Sequence, residues 1–134
     1  MPTVNLVEES TTNPKVRVIF DDIKATKKID RVPNFWRALA SHPEHLEICW
    51  TRAKAIMKPG KLDMLTKEII ALAVSITNSC RYCINSHTAA VLKLGFDEES
   101  LGELHSVVGL YNGFNKLADG FQVEPDVLPP AATK

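Results

Sequence analysis

The sequence predicts an all-α protein, a compact bundle of about six helices. Apolar residues recur every three or four positions along most of the chain, which is the spacing of one face of an α-helix. Proline, glycine, asparagine and aspartate separate these stretches at points that suit helix starts and ends. No stretch alternates polar and apolar residues with a period of two, so no half-buried strand is predicted.

The predicted elements cover the middle of the chain. A polar N-terminal tail, 1–14, precedes a helical domain over 15–120, and a proline-rich C-terminal tail occupies 121–134. The predicted helices are 16–27, 35–40 capped by Asn34, 43–57, 64–77 capped by Asp63, 80–94 ended by Gly95, and a sixth that follows Asp97 as its cap and runs to about 118.

Size and charge exclude several classes of protein. A chain of 134 residues is one domain by length, and its 16 basic residues balance its 16 acidic ones, so nucleic acid is not favoured as a partner. The longest apolar run, 69–74, is far too short to span a bilayer, and no signal-peptide pattern opens the sequence. We therefore expect a cytoplasmic protein with no membrane partner.

Two of the predicted helices have features that indicate close packing against other helices. The fourth, 64–77, is apolar on nearly all sides, which is typical of a helix at the centre of a bundle or of an oligomer. The sixth contains Gly109 and Gly113, which weaken a helix and suggest close packing against another backbone. The apolar fourth helix predicts a homo-oligomer.

The candidate site centres on two cysteines and a histidine. Cys80, Cys83 and His87 are spaced by three and four residues, so they line one face of the fifth helix, a face that continues inward through Ala90, Val91 and Leu94. The free N–H groups and the dipole at a helix start favour thiolate over thiol. In a reducing compartment, such a close pair favours redox or metal chemistry over a structural disulfide.

Glu68 is the one acidic residue in the apolar fourth helix, twelve positions before Cys80. A desolvated carboxylate there could take a proton from a thiol. The alternative is that Glu68 points to solvent, as most helical glutamates do. The cysteine pair also has alternatives: zinc ligation with His87 and Glu68 as further ligands, or two buried structural cysteines beside a core histidine.

The spacing of these residues resembles a known signature. Glu68, eleven intervening residues, Cys80 to Cys83, three residues and His87 together resemble the motif of the alkylhydroperoxidase D-like family, within the carboxymuconolactone decarboxylase superfamily. The resemblance covers roughly residues 15–126. It extends to the segments 32–40, 42–44, 62–63, 89–90, 94–95 and 117–120.

The resemblance implies an all-helical subunit that assembles into trimers or hexamers and acts as a thiol peroxidase. It makes Cys83 the peroxidatic thiolate, Cys80 the resolving thiol, Glu68 the base and His87 the proton relay. The substrate is then a hydroperoxide, the partner an external thiol or dithiol reductant, and no cofactor is expected. Tyr82 stands where some members of the family carry a histidine; it can donate a hydrogen bond but cannot relay a proton in the same way near neutral pH.

Three other functions remain open. The decarboxylase branch of the superfamily acts on a carboxylated lactone and is not defined by this cysteine pair. A protein disulfide reductase would need the same residues as the peroxidase. A non-enzymatic helical oligomer would use the cysteines only for packing or for a metal ion.

Overall fold

A computed structural model describes residues 1–132, and these residues form six α-helices and no β-strand. The helices are α1 Pro14–Lys27, α2 Asn34–Leu39, α3 Pro43–Ile56, α4 Met64–Thr77, α5 Arg81–Lys93 and α6 Glu98–Gly120. The prediction of an all-α protein with six helices is therefore confirmed, and the predicted ends agree with these to within about two residues.

Side-chain caps explain most of the helix starts. The carboxylates of Asp63 and Asp97 accept the N–H groups of Thr66 at 2.7 Å and Ser100 at 2.8 Å, as the sequence predicted. The prediction that Asn34 caps α2 is wrong. Asn34 is the first residue of that helix, and Pro33 occupies the cap position without a side-chain hydrogen bond. The backbone φ of proline, fixed near −65°, already suits this entry into the helix.

The chain divides into two compact units, and the first, Met1–Lys58, holds α1, α2 and α3. Helices α1 and α2 both pack against α3. The rings of Trp36 and Trp50 meet edge to face with centroids 5.1 Å apart, and the indole N–H of Trp50 donates to Asp22 at 2.7 Å. The buried core consists of Val16, Ile19, Phe20, Ile23, Val32, Trp36, Ala40, Leu46 and Trp50.

The segment predicted as an N-terminal tail has no regular secondary structure before Pro14, which begins α1, but part of the segment is held by hydrogen bonds. The backbone of Val7 exchanges hydrogen bonds with Arg37, whose side chain also pairs with Glu8 at 3.0 Å. Glu9 accepts the N–H of Val32 at 3.0 Å. These contacts attach residues 7–9 to the first unit.

The second unit begins at Pro59 and holds α4, α5 and α6. Helix α4 lies at its centre, packed against both α5 and α6. The buried core is small, with Leu72 from α4, Val91 from α5, and Leu104 and Val108 from α6. Around it pack the partly buried residues Leu65, Ile69, Ala73, Ile76, Ile84, Phe96 and Leu101.

Much of the apolar surface of the second unit faces outward in the isolated chain. The exposed large side chains on its helices include Ile70, Val74, Val107, Leu110, Tyr111, Phe114 and Leu117. Leu94, expected on the inward face of α5, is also exposed, because α5 ends at Lys93 and the chain turns there. No atom lies within 4 Å of a Cβ built on Gly109 or Gly113, so the close packing expected at these glycines does not occur within the chain described.

Beyond α6 the chain is exposed and irregular through residue 132. The last two residues of the predicted C-terminal tail, 133–134, lie outside the described residues. Among the described helices, none combines the length and apolar character that crossing a membrane requires.

Candidate active site

A tight reversal of the chain between α4 and α5 positions the cysteine pair. Ser79 adopts a left-handed backbone with φ 55°, and the N–H of Cys80 donates to the carbonyl of Ser75 at 3.0 Å. This turn places Cys80 at the N-cap of α5, where the sequence predicted the first helical residue. Cys80 therefore lies where the unpaired N–H groups of the helix converge.

Cys80 and Cys83 form a disulfide across the first turn of α5, with their Cα atoms 5.3 Å apart. The N–H of Cys83 also points at the Sγ of Cys80, 3.4 Å away, so the sulfur acts as the helix cap. Both cysteines are partly buried. The third cysteine, Cys49, is free and packs against the core of the first unit.

Glu68 and His87 form the second pair of the site. Oε2 of Glu68 lies 2.6 Å from Nδ1 of His87, which joins α4 to α5 by a short hydrogen bond. The Glu68 side chain is only 14% exposed, so the alternative in which it points to solvent does not apply. With an ionised carboxylate, Nδ1 carries the proton and donates it, and Nε2 is then the ring nitrogen able to accept one.

The two pairs share one face of α5. Cys83 and His87 are four residues apart on that helix, so their side chains are neighbours one turn apart. The structure thus joins Cys80 to Cys83 and Glu68 to His87 by direct contact, and helix geometry sets the second pair beside the first. Tyr82 lies on a different face of α5 and is about half exposed.

Two supporting residues were missed from the sequence. Ser75 is buried, its hydroxyl donates to the carbonyl of Ala71 at 2.6 Å, and its own carbonyl anchors Cys80. Thr77, the last residue of α4, hydrogen-bonds Asn112 of α6 at 3.2 Å and so ties the end of α4 to α6. The signal for Ser75 was present, since it is a polar residue within an apolar helix five positions before the first cysteine.

The zinc alternative finds no support in the geometry. Across residues 1–132, no group of three or more histidine, cysteine, aspartate or glutamate side chains is arranged to hold a metal ion.

The six helices and the glutamate–histidine and cysteine pairs define a class of protein. The Carboxymuconolactone decarboxylase family matches residues 43–123, which include all four candidate site residues, and the chain belongs to that family. Within it, the chain is alkylhydroperoxidase D-like, and the resemblance seen in the sequence is confirmed.

Particular relatives support this placement. The crystal structure of the alkylhydroperoxidase AhpD core from Rhodospirillum rubrum superposes with a TM-score of 0.89 at 43% identity, covering 94% of this chain and 95% of that one. The alkyl hydroperoxide reductase AhpD of Coxiella burnetii is 31% identical over 67 residues, which is 50% of this chain but only 37% of that protein. The uncharacterized protein YdfG of Bacillus subtilis is 33% identical over 64 residues, covering 48% of this chain and 43% of that protein.

Proposed function

We propose that this protein is a thiol-dependent hydroperoxide reductase that acts on alkyl hydroperoxides. The observation that carries the proposal is that the Cys80–Cys83 disulfide lies at the start of α5, beside His87 on the same helix face. His87 is in turn hydrogen-bonded to Glu68 of α4. A dithiol that can close to a disulfide, beside a partly buried base, is what two-step thiol reduction of a peroxide requires. The AhpD names of the relatives support the same class of reaction.

The proposed cycle uses the two sulfurs in turn. The thiolate of Cys83 attacks the terminal oxygen of the hydroperoxide, the O–O bond breaks, and the alcohol leaves with a proton, so that Cys83 becomes a sulfenic acid. The thiolate of Cys80 then attacks the sulfur of Cys83, the S–O bond breaks, and the disulfide forms as hydroxide leaves and takes up a proton to become water. An external thiol or dithiol reduces the disulfide by two exchange steps, which consume two thiol groups and return both cysteines.

Glu68 and His87 prepare the attacking sulfur in this proposal. The imidazole takes the proton of the Cys83 thiol, directly or through a water molecule, and the carboxylate stabilises the imidazolium that results. Meanwhile, the N–H of Cys83 and the positive end of α5 stabilise negative charge on Cys80. Tyr82 can serve at most as a hydrogen-bond donor near this site.

The deciding experiment follows the intact mass of the reduced protein after one equivalent of an alkyl hydroperoxide, with Cys80→Ser and Cys83→Ser variants alongside. We expect rapid disulfide formation in the parent, a trapped sulfenic acid in Cys80→Ser, and no peroxide-dependent oxidation of the pair in Cys83→Ser. Cys49→Ser is the matched control and should react as the parent does, because Cys49 is outside the disulfide-forming pair and packs against the core of the first unit.

Other outcomes would point elsewhere. If peroxide leaves the reduced pair untouched for minutes while a protein disulfide oxidises it, the site is that of a disulfide reductase. If a carboxylated lactone is consumed equally well by both serine variants, the decarboxylase reading is correct and the peroxidase proposal fails.

We also propose that the protein is a homotrimer or a dimer of trimers. The support is the outward apolar surface on α4 and α6, since soluble monomers rarely expose large contiguous apolar patches. Sedimentation velocity on the 14.9 kDa chain should give a species of at least three times that mass. A stable monomer at micromolar concentration would refute this part of the proposal.

A further inference from the structure

Arg81 stands next to the disulfide as an uncommitted positive charge. It is the first residue of α5, directly after Cys80, and its side chain is exposed. Several other cations are paired, for instance Lys54 with Asp22 at 2.8 Å and Arg37 with Glu8 at 3.0 Å. Within residues 1–132 the structure gives Arg81 no such ion pair.

The surroundings along the chain do not neutralise this charge. Residues 69–96, which include most of α4 and all of α5, contain no aspartate or glutamate. The acidic group of the site, Glu68, is already bonded to His87 and only 14% exposed. The first turn of α5 adds partial positive charge from its free N–H groups. Neither an acidic side chain of this stretch nor the helix end therefore offsets the positive charge of Arg81.

We propose that Arg81 makes the disulfide selective for an anionic thiol reductant, one that carries a carboxylate or a comparable anion beside its thiol. The inference rests on the proposed function, because it concerns the reduction half of that cycle. The first thiolate attacks one sulfur of the pair, the S–S bond breaks, and a mixed disulfide and a cysteine thiolate result. A second thiolate attacks the mixed disulfide, releasing the other cysteine and the oxidised reductant.

The expected size of the effect follows from the electrostatics of exposed charges. Two unit charges about 8–10 Å apart in water interact strongly enough to change a rate about 2-fold for each unit of charge on the reductant. An anionic and a cationic thiol differ by two such units, so Arg81 should favour the anionic one about 4-fold at low ionic strength. Because the charges are exposed, salt near 0.5 M should remove most of this preference.

The experiment measures reduction of the oxidised protein by 3-mercaptopropionate, 2-mercaptoethanol and cysteamine, read as alkylated cysteine by intact mass. Rates are expressed per thiolate, which removes differences in thiolate fraction among the three thiols. Differences in their intrinsic nucleophilicity cancel when the ratio is compared between variants. We expect the ratio of the 3-mercaptopropionate rate to the cysteamine rate to fall about 4-fold in Arg81→Gln and about 16-fold in Arg81→Glu. Arg81→Lys should restore the ratio.

Lys93→Gln is the matched control. Lys93 is exposed on the last turn of the same helix, about 18 Å along its axis from Arg81. This is about twice the separation used for Arg81, so Lys93→Gln should lower the ratio by about 2-fold or less even at low ionic strength. An unchanged ratio in both Arg81→Gln and Arg81→Glu would overturn the inference, as would an equal fall in Lys93→Gln. The proposed function is tested separately: if hydroperoxide fails to oxidise the reduced parent, that function fails whatever Arg81 does.

Discussion

Replacing Glu68 by glutamine is the most direct test of the hydrogen bond that links α4 to α5. Glutamine has the same shape and keeps a carbonyl oxygen that can accept the Nδ1–H of His87, but it carries no charge. The 2.6 Å contact and the 14% exposure of Glu68 mean that the carboxylate interacts with the ring in a mostly desolvated position. The substitution therefore removes the charge while preserving the packing.

The expected loss of rate follows from the free energy that a hydrogen bond to a charged group contributes. A hydrogen bond to a charged group contributes about 1.5–3 kcal/mol, and this bond gains its strength when the imidazole becomes cationic as it takes the thiol proton. If the whole contribution appears in the barrier, oxidation of Cys83 slows by about 10- to 150-fold. The reduction of the disulfide by an external thiol should change little, because that step needs no base at Cys83.

The assay is the rate at which a limiting alkyl hydroperoxide oxidises the reduced protein near neutral pH, followed by rapid quench and intact mass. Glu103→Gln is the matched control, since Glu103 is exposed on α6 of the same unit and should leave the rate unchanged. Thermal unfolding of each variant checks that the helices remain intact.

The double variant distinguishes a base that acts through His87 from one that acts alone. If the two residues work as one relay, Glu68→Gln combined with His87→Gln should be no slower than His87→Gln alone, because coupled groups are not additive. A rate for Glu68→Gln within about 3-fold of the parent would refute the relay. Such a rate would mean that the charged hydrogen bond lowers the activation free energy by less than about 1 kcal/mol.

Two further predictions concern stability. Leu72 is fully buried between α5 and α6, and Leu72→Ala should lower the free energy of unfolding by about 3 kcal/mol in urea at fixed protein concentration; a loss below about 1 kcal/mol would contradict this packing. In the first unit, hydrogen bonds from the Lys54 ammonium and from the Trp50 indole lower the pKa of Asp22 below its usual value of 3.8. A carboxyl group whose pKa is lower in the folded state contributes stability above the unfolded pKa and loses it as pH falls through the folded one. The gap in unfolding free energy between the parent and Asp22→Asn should therefore be wide at pH 6 and narrow towards pH 2.5, and an equal gap at both pH values would show that the pairing is not responsible.

The sequence was sufficient for the helices because their signals are local. Asp63 and Asp97 cap the helices that follow them, and the residues that carry each cap lie within three positions along the chain. The prediction for Asn34 failed because the signal is only local. Asparagine is a good capping residue, but Pro33 next to it takes the cap position, so the helix begins one residue earlier than predicted. Cys80 also moved by one position, because the left-handed turn at Ser79 precedes the helix and uses Cys80 as its cap.

The site itself was only half accessible from sequence. Spacing alone could place Cys80, Cys83 and His87 on one helix face, since Cys80 is the cap of α5 and the other two residues lie within that helix. Spacing could not decide whether Glu68 faces solvent or His87, because that depends on how α4 is rotated against α5. The two residues in contact are nineteen positions apart along the chain. The sequence marks Ser75 as a polar residue within an apolar helix, but whether its side chain is buried depends on the same rotation.

The position of the disulfide has a consequence for the stability of the protein when the bond is closed and when it is open. The bond closes a loop between residues only three apart, and these residues are also held by the first turn of α5, where Ile84 donates its N–H to the carbonyl of Cys80 at 2.8 Å. Cross-links over short loops restrict the unfolded chain far less than those over long ones. Opening and closing this bond should therefore change the free energy of unfolding by about 2 kcal/mol or less, against about 4.7 kcal/mol for a loop of about 100 residues. In the proposed cycle, the passage between the oxidised and reduced forms therefore changes the resistance to unfolding less than a long-range disulfide would.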